Sequence, residues 1–343
     1  MDARPTQEVL VTGAGGYIGT TLVPMLLEAG YRVRAFDRYF FGRDLLPDHA
    51  NLKIVQNDAR RLGERDIEGC DFVIDLVALS NDPSGEVFQE QTYEINFRSR
   101  VHTAELAKKA GVKRYILPSS CSIYGFQAPG VIADETTKTN PLTTYAKANE
   151  MAEKGVLALA GSDFTAIVLR QATVYGYSPR MRFDLAINGM TYGAWKTGVL
   201  PLMRDGSQWR PMVHVKDTAR AQIFMLTADS DKINGEIFNV GSEANNYQLG
   251  PLAEIVKNTL PREVKIEWYG DPDHRSYRVG FDKINGLGYR ALYVAEDGVR
   301  ELCEALEAGK TDKTKATLTL EWYKELIEWN ERIKNVSLDG VII

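Results

Sequence analysis

Two periods of hydrophobicity alternate along the first half of the chain. Val9-Leu10-Val11 is a short apolar run, Thr12-Gly13-Ala14-Gly15-Gly16 interrupts it, and from Tyr17 to Ala29 apolar positions recur at helical spacing. A run that is apolar at successive residues suits a strand covered on both faces, so this stretch predicts strand, glycine turn and helix. The same reading predicts strands at 32–37, 52–56, 71–76, 114–117 and 166–169. It predicts helices at about 86–110, closed by Gly111, and from Tyr145 to about Leu159. Strands alternating with helices predict an α/β chain with a doubly wound parallel sheet, its ligands beyond the C-terminal strand ends.

The pattern loosens after residue 176. Gly176 to Arg210 is rich in Gly, Met and Arg and reads as a helix plus loops leaving the sheet. Val213-His214-Val215, a helix from Asp217 to about Thr227 and a strand at 236–240 read as a return to the nucleotide domain. Helices follow at 252–260 and 294–308, with a strand at 264–268 between them. The domains are therefore expected to interleave, with 1–176 plus about 211–245 as a nucleotide domain and about 177–210 plus 246–343 as a smaller substrate domain. A last helix, about 318–333, carries Leu320, Tyr323, Ile327 and Trp329 at helical spacing, which predicts core packing.

Composition narrows the function classes. With 343 residues, 44% hydrophobic and 25% charged, the chain can bury a large core. A formal net charge of −5 gives no overall attraction to nucleic acid or anionic membrane, so local basic sites must carry any phosphate binding. Cys70, Cys121 and Cys303 are too scattered for a disulfide framework, and the four histidines are as scattered, so no metal site is expected. No stretch approaches the roughly 20 apolar residues that cross a bilayer, and Met1–Glu8 lacks a signal-peptide pattern. A cytoplasmic protein without membrane partners is expected.

Gly13, Gly16 and Gly19 lie between the first strand and the first helix, where glycines let the backbone turn tightly and approach a pyrophosphate at a helix N-terminus. The second strand ends in Asp37, 18 residues beyond Gly19, where a carboxylate binds ribose hydroxyls. This is the dinucleotide fingerprint of a Rossmann-type domain, and Asp37 favours NAD because it would repel a 2′-phosphate. Asp58, at the end of the third strand, is placed for the adenine. Ser120 stands at the end of the fifth strand and Tyr145 at the start of a helix, 25 residues on. That pair suggests hydride chemistry at a sugar carbinol, with Tyr145 as base and Ser120 polarising the same oxygen.

Together these residues resemble the extended short-chain dehydrogenase/reductase family, specifically its NAD-dependent nucleotide-sugar epimerases and dehydratases. The resemblance runs through Gly13/Gly16/Gly19, Asp37, Asp58, Ala78, Asn96, Ser120 with Tyr124-Gly125, Tyr145, Arg170 with Tyr175-Gly176, Arg210 to Asp217, Asn239-Val240-Gly241 and Arg275. It implies a tightly held NAD, contacted by Gly13, Gly16, Tyr17, Ile18, Gly19, Asp37, Asp58, Ala59, Leu76, Ala78, Asn96, Ser119, Tyr145 and Asn149. It implies substrate contacts from Ser120, Ser122 and Thr173, with Arg210 and Arg275 on a diphosphate. It further implies hydride removed from a sugar carbon, commonly C4, and a homodimer built from the helices near Glu94 and Tyr145. Ser178-Pro179-Arg180-Met181-Arg182 resembles sequences in enzymes that oxidise C4 of GDP-linked heptoses, adding Arg180 and Arg182 as substrate contacts.

Two departures matter. The family places Tyr-x-x-x-Lys in this helix, and here Asn149 follows Tyr145 by four residues. The lysine binds the nicotinamide ribose and lowers the pKa of the tyrosine; an asparagine can do only the first. Lys147 is no substitute, because two helical residues turn a side chain about 200° away. Three readings stay open: a weakened enzyme, an inactivated one, or a site whose base lies elsewhere. Restoring lysine at 149 is expected to accelerate hydride transfer. The second departure is Cys121-Ser122, where the dehydratases carry Asp-Glu. This favours epimerisation or oxidation through a keto sugar over 4,6-dehydration, with a non-catalytic binding protein as the competing class.

Overall fold

The computed structural model describes residues 7–128, 130–271 and 276–341. Seven strands make the central sheet: β1 (Glu8–Thr12), β2 (Arg32–Asp37), β3 (Leu52–Gln56), β4 (Phe72–Asp75), β5 (Arg114–Ser120), β6 (Thr165–Gln171) and, much later in the chain, Ile237–Val240. They lie in the order Ile237–Val240, β6, β5, β4, β1, β2, β3, all parallel. The order reverses between β1 and β4, and a crevice opens at such a switch point beyond the strand ends.

Successive residues of β1 serve opposite faces. Val9 and Val11 pack with Leu22 and Leu26 of α1 (Gly19–Glu28), while Leu10 joins Ala104, Ala107, Ala152 and Val156 on the other side. That two-sided burial is why the strands read as continuous apolar runs. The expected long helix at 86–110 is interrupted once, at Phe88, and carries a π turn. After α2 (Asp82–Val87) come α3 (Gln89–Tyr93), a π turn at Glu94–Arg98 and α4 (Ser99–Lys109). The helix that carries Tyr145 is α5 (Thr144–Leu157), with Thr143 as its N-cap accepting from the Ala146 amide.

The second lobe packs α6 (Ala186–Thr197) and the helices Leu249–Thr259 and Ala295–Glu307 around Ile187, Met190, Leu200, Leu252, Val256 and Val299. Val213 and His214 belong to a strand, Trp209–His214, that does not join the large sheet. It pairs in parallel with Thr173–Tyr175 and antiparallel with Asn246–Gln248. Helical periodicity misled at the C-terminal end. The helix Thr319–Val336 leaves Ile327 and Trp329 half exposed, and it lies over the cleft rather than in the core. Tyr323, Leu326 and Ile327 face the cleft beside the Phe40–Phe41 loop, while Trp329 packs edge-on against Trp322.

Candidate active site

A cleft of about 1350 Å³ runs along the C-terminal strand ends and between the lobes. Ordinary ligand sites hold about 300–1,000 Å³, so this one has room for two ligands end to end. Its cofactor end is the glycine turn. Gly13 sits at φ +68°, and a Cβ there would fall 2.7 Å from the Leu76 carbonyl carbon. A Cβ on Gly19 would meet the carbonyl oxygens of Gly13 and Ala14 at 2.5 Å. The turn is thus closed to side chains, as a backbone cradle for a pyrophosphate must be. Gly13, Gly16, Tyr17, Ile18 and Gly19 all line the cleft.

Asp37 lines the cleft and accepts from the amides of Gly15 (3.1 Å) and Tyr39 (2.6 Å). Burial raises its pKa, and those two amides pull it back in part. Asp58 behaves oppositely: Arg60, which binds both its oxygens, holds its carboxyl down at about 2. Asp58, Ala59, Leu76, Ala78 and Ser119 line the same wall. Asn96 does not. Its amide is turned inward, accepting from the Leu79 amide at 2.8 Å and donating to the Leu79 carbonyl at 3.1 Å, so it shapes the loop after β4 from behind.

Ser120 and Tyr145 both line the cleft, near enough for the Ser120 hydroxyl to favour the ionised form of Tyr145. Burial raises the pKa of Tyr145, as does the Asp82 carboxylate, whereas Ser120, Arg100 and Arg182 lower it. Lys147 is exposed, as its helical position requires. Asn149 is buried beneath the wall, its amide donating to the Tyr145 carbonyl at 2.9 Å and accepting from Arg100 at 3.0 Å. The ribose contact expected of Asn149 is therefore not what this conformation shows, since both ends of its amide serve protein groups. Cys121 is a filler: it is buried, its thiol donates to the Arg170 carbonyl at 3.2 Å, and burial pushes its pKa far up.

The cleft is also lined by Ser122, Thr173, Arg180, Arg182 and Arg210. Arg182 grips Asp184 through two nitrogens and reaches the Ser80 hydroxyl at 3.2 Å. Arg180 stacks 3.7 Å over the Phe41 ring, and burial, helped by Arg182, lowers its pKa to about 10. Its backbone amide bonds the Thr20 hydroxyl of α1, so Arg180 stands closer to the cofactor cradle than its sequence context suggests. Arg275 lies outside the described residues. Arg100 and the aromatic roof of Phe40, Phe41, Phe88 and Tyr323 were not anticipated. Arg100 had one signal, its place four residues after Asn96 on one helix face. The roof had none, because it joins distant segments.

Residues 9–241 match the NAD dependent epimerase/dehydratase family. The chain is 27% identical over 292 residues to UDP-arabinose 4-epimerase 1 of Arabidopsis thaliana, covering 76% of this chain and 69% of that protein. It is 27% identical over 275 residues to the UDP-glucuronate 4-epimerase of Thermodesulfobacterium geofontis, covering 76% and 82%. The solved structure of MoeE5 in complex with UDP-glucuronic acid and NAD superposes with a TM-score of 0.78 at 26% identity, over 88% of this chain and 99% of that one. The match spans the glycine cradle, Asp37, Ser120 and Tyr145 alike, and the chain belongs to the NAD dependent epimerase/dehydratase family, with NAD as its cofactor.

Proposed function

We propose that the protein is a nucleotide-sugar 4-epimerase whose substrate is a nucleoside-diphosphate sugar, with UDP-sugars the first candidates. The observation that carries this reading is the meeting of Ser120 and Tyr145 in one cleft with the Gly13–Gly19 cradle. NAD held by Gly13, Gly16, Gly19 and Asp37 would supply reversible hydride acceptance at the sugar's C4. The chain's own residues do the rest. Tyr145 takes the proton of the sugar hydroxyl at its phenolic oxygen and gives it back, and Ser120 donates to the same oxygen and fixes its place. Arg210 is placed for the diphosphate and Arg182 for the sugar, the first with the paired donors that suit phosphate oxygens. The Ser120 and Tyr145 pair, Asp37 and the glycines are the site residues we assign to this chemistry. The domain split, with residues 177–210 and 246–343 as substrate lobe, is part of the same reading.

Epimerisation is favoured over 4,6-dehydration because the residues after Ser120 are a buried thiol and a serine, neither of them a carboxylate acid or base. A homodimer through α4 and α5, and a cytoplasmic location, complete the proposal. NAD is an intracellular cofactor, and all three cysteines are unpaired. Among the described residues no helix is long and apolar enough to cross a membrane. The test is incubation of the holoenzyme with UDP-, GDP-, dTDP- and CDP-sugars, with separation of C4 epimers and the ultraviolet band of reduced nicotinamide as readouts. Interconversion of one epimer pair supports the proposal, and no conversion and no reduction with any sugar would sink it.

A further inference from the structure

Asn149 leaves an electrostatic gap: a base of ordinary pKa near 10 stands in a buried place, without a lysine four residues on. The structure fills that gap from a neighbouring helix. Arg100 is among the largest fully buried side chains in the protein. It stands in the first turn of α4, directly after the π turn at Glu94–Arg98. A π turn adds a residue to the helix and so rotates the residues beyond it, and Asn96 and Arg100 both end up facing inward.

The guanidinium is held at three points. Nη2 donates to the Asp75 carbonyl at 2.8 Å and to the Pro118 carbonyl, and Nη1 donates to Asn149 Oδ1 at 3.0 Å. Asp75 ends β4, and Pro118 lies two residues before Ser120. The charge is therefore locked one layer behind the cleft wall, against the strand ends that carry the reacting groups. Its counter-charge, the Asp75 carboxylate, lies 3.9 Å from Nε and is also bound by the hydroxyls of Thr12 and Tyr115. Asn149 in turn donates to the Tyr145 carbonyl, so a single amide bridges the cation and the helical turn of the base.

We infer that Arg100 is the positioning residue that supplies, from α4, the positive charge that resembling enzymes place at position 149, with Asn149 as the neutral bracket that admits it. A lysine at 149 would bring a second cation within hydrogen-bond reach of a buried guanidinium, which low-polarity surroundings make costly. The neutral amide is thus the partner Arg100 requires rather than a sign of lost chemistry. Tyr145 also faces Asp82 from α2, whose effect opposes that of Arg100, Arg182 from the second lobe and Ser120 from β5. Glu86 of α2 accepts from the Thr144 amide beside it. Glu153, further along α5, is paired with Arg170 and accepts from the Ser119 hydroxyl.

This inference deepens the epimerase reading, and its test has one readout that depends on that reading and one that does not. Tyrosine ring-carbon NMR of the NAD-loaded protein, with Tyr145 assigned through Tyr145→Phe, reports the ionisation of the base without any sugar. Single-turnover reduction of bound NAD across pH reports it in the reaction. Arg100→Met is expected to move the Tyr145 midpoint up by about one pH unit or more, and to slow transfer near pH 7 by roughly tenfold. Arg100→Met/Asn149→Lys is expected to restore both, whereas Asn149→Lys alone is expected not to accelerate transfer. An unmoved Tyr145 midpoint in a folded, NAD-binding Arg100→Met protein would overturn the inference. If that variant does not fold, Arg100→Gln decides: it keeps donors for the two carbonyls without the charge, so a midpoint raised by about a unit supports the inference and an unmoved one overturns it. Failure of every sugar to reduce NAD would count against the epimerase reading while the NMR titration still judges Arg100.

Discussion

The carboxylate of Asp37 accepts the Gly15 amide at 3.1 Å, so the end of the second strand is tied to the turn that ends the first. The same carboxylate is the group expected to hold the adenosine ribose, and burial raises its pKa above 3.8. Ribose binding uses the ionised form. NAD affinity is therefore expected to be full at neutral pH and to fall as pH drops through that raised midpoint. Asp37→Asn is expected to weaken NAD by about tenfold, the scale of one lost charge-assisted hydrogen bond, and to remove the pH dependence. Calorimetric titration of NAD at several pH values checks both.

Gly19→Ala sets two effects against each other. Alanine is a better helix former by about 1 kcal/mol, but its Cβ would sit 2.5 Å from two backbone carbonyl oxygens. Overpacking against backbone costs about 1–3 kcal/mol and the turn must open to relieve it. The expected outcome is a lower melting temperature together with loss of NAD binding. Thermal unfolding with and without NAD measures the first and the second at once, since a bound ligand raises the melting point.

Tyr145→Phe and Ser120→Ala are expected to lower turnover by roughly 10²–10⁴, the usual range for a positioned acid–base group. Ser120 is outside the expected NAD contacts, so Ser120→Ala is expected to keep NAD affinity within about threefold, whereas Tyr145→Phe, at an expected NAD contact, is expected to weaken it by at most about tenfold, one lost hydrogen bond. Steady-state rates beside NAD titration separate the two quantities. Turnover by Tyr145→Phe equal to that of the parent would remove it as the base.

How far the sequence carried the picture depends on the range of the interactions. The strands from Val9 to Leu169 and the pairing of Ser120 with Tyr145 were legible because each rests on local periodicity or on the end of an element. Arg100 was hidden because its meaning comes from Asp75, Pro118 and Asn149, which the chain brings to it from three other elements. Which sheet the Trp209–His214 strand joins was not legible, because strand propensity says nothing about pairing partners. Ile327 failed for a related reason: an amphipathic helix can bury its stripe or lay it over a ligand cleft, and periodicity is the same for both.

Arg210→Ala is expected to raise KM for the nucleotide sugar by tenfold or more, about the 1.5–3 kcal/mol of a hydrogen-bonded charge, with NAD affinity unchanged. Arg210 lines the far end of the cleft from the glycine cradle, over the Tyr277 ring at 5.8 Å. Competition by free nucleoside diphosphate gives the sharper reading: its inhibition constant should rise by the same factor if the arginine holds phosphate.

The Trp322 indole donates to the Phe40 carbonyl at 2.7 Å, across 282 residues of chain. At about 5–20 residues per second of synthesis, the roof helix reaches the ribosome exit roughly 15–60 seconds after the loop it covers. The parallel strands that hold the cofactor emerge first and stand uncovered for that interval. The cofactor end of the cleft therefore acquires its cover only once Thr319–Val336 has been made, long after the loop that this helix clasps.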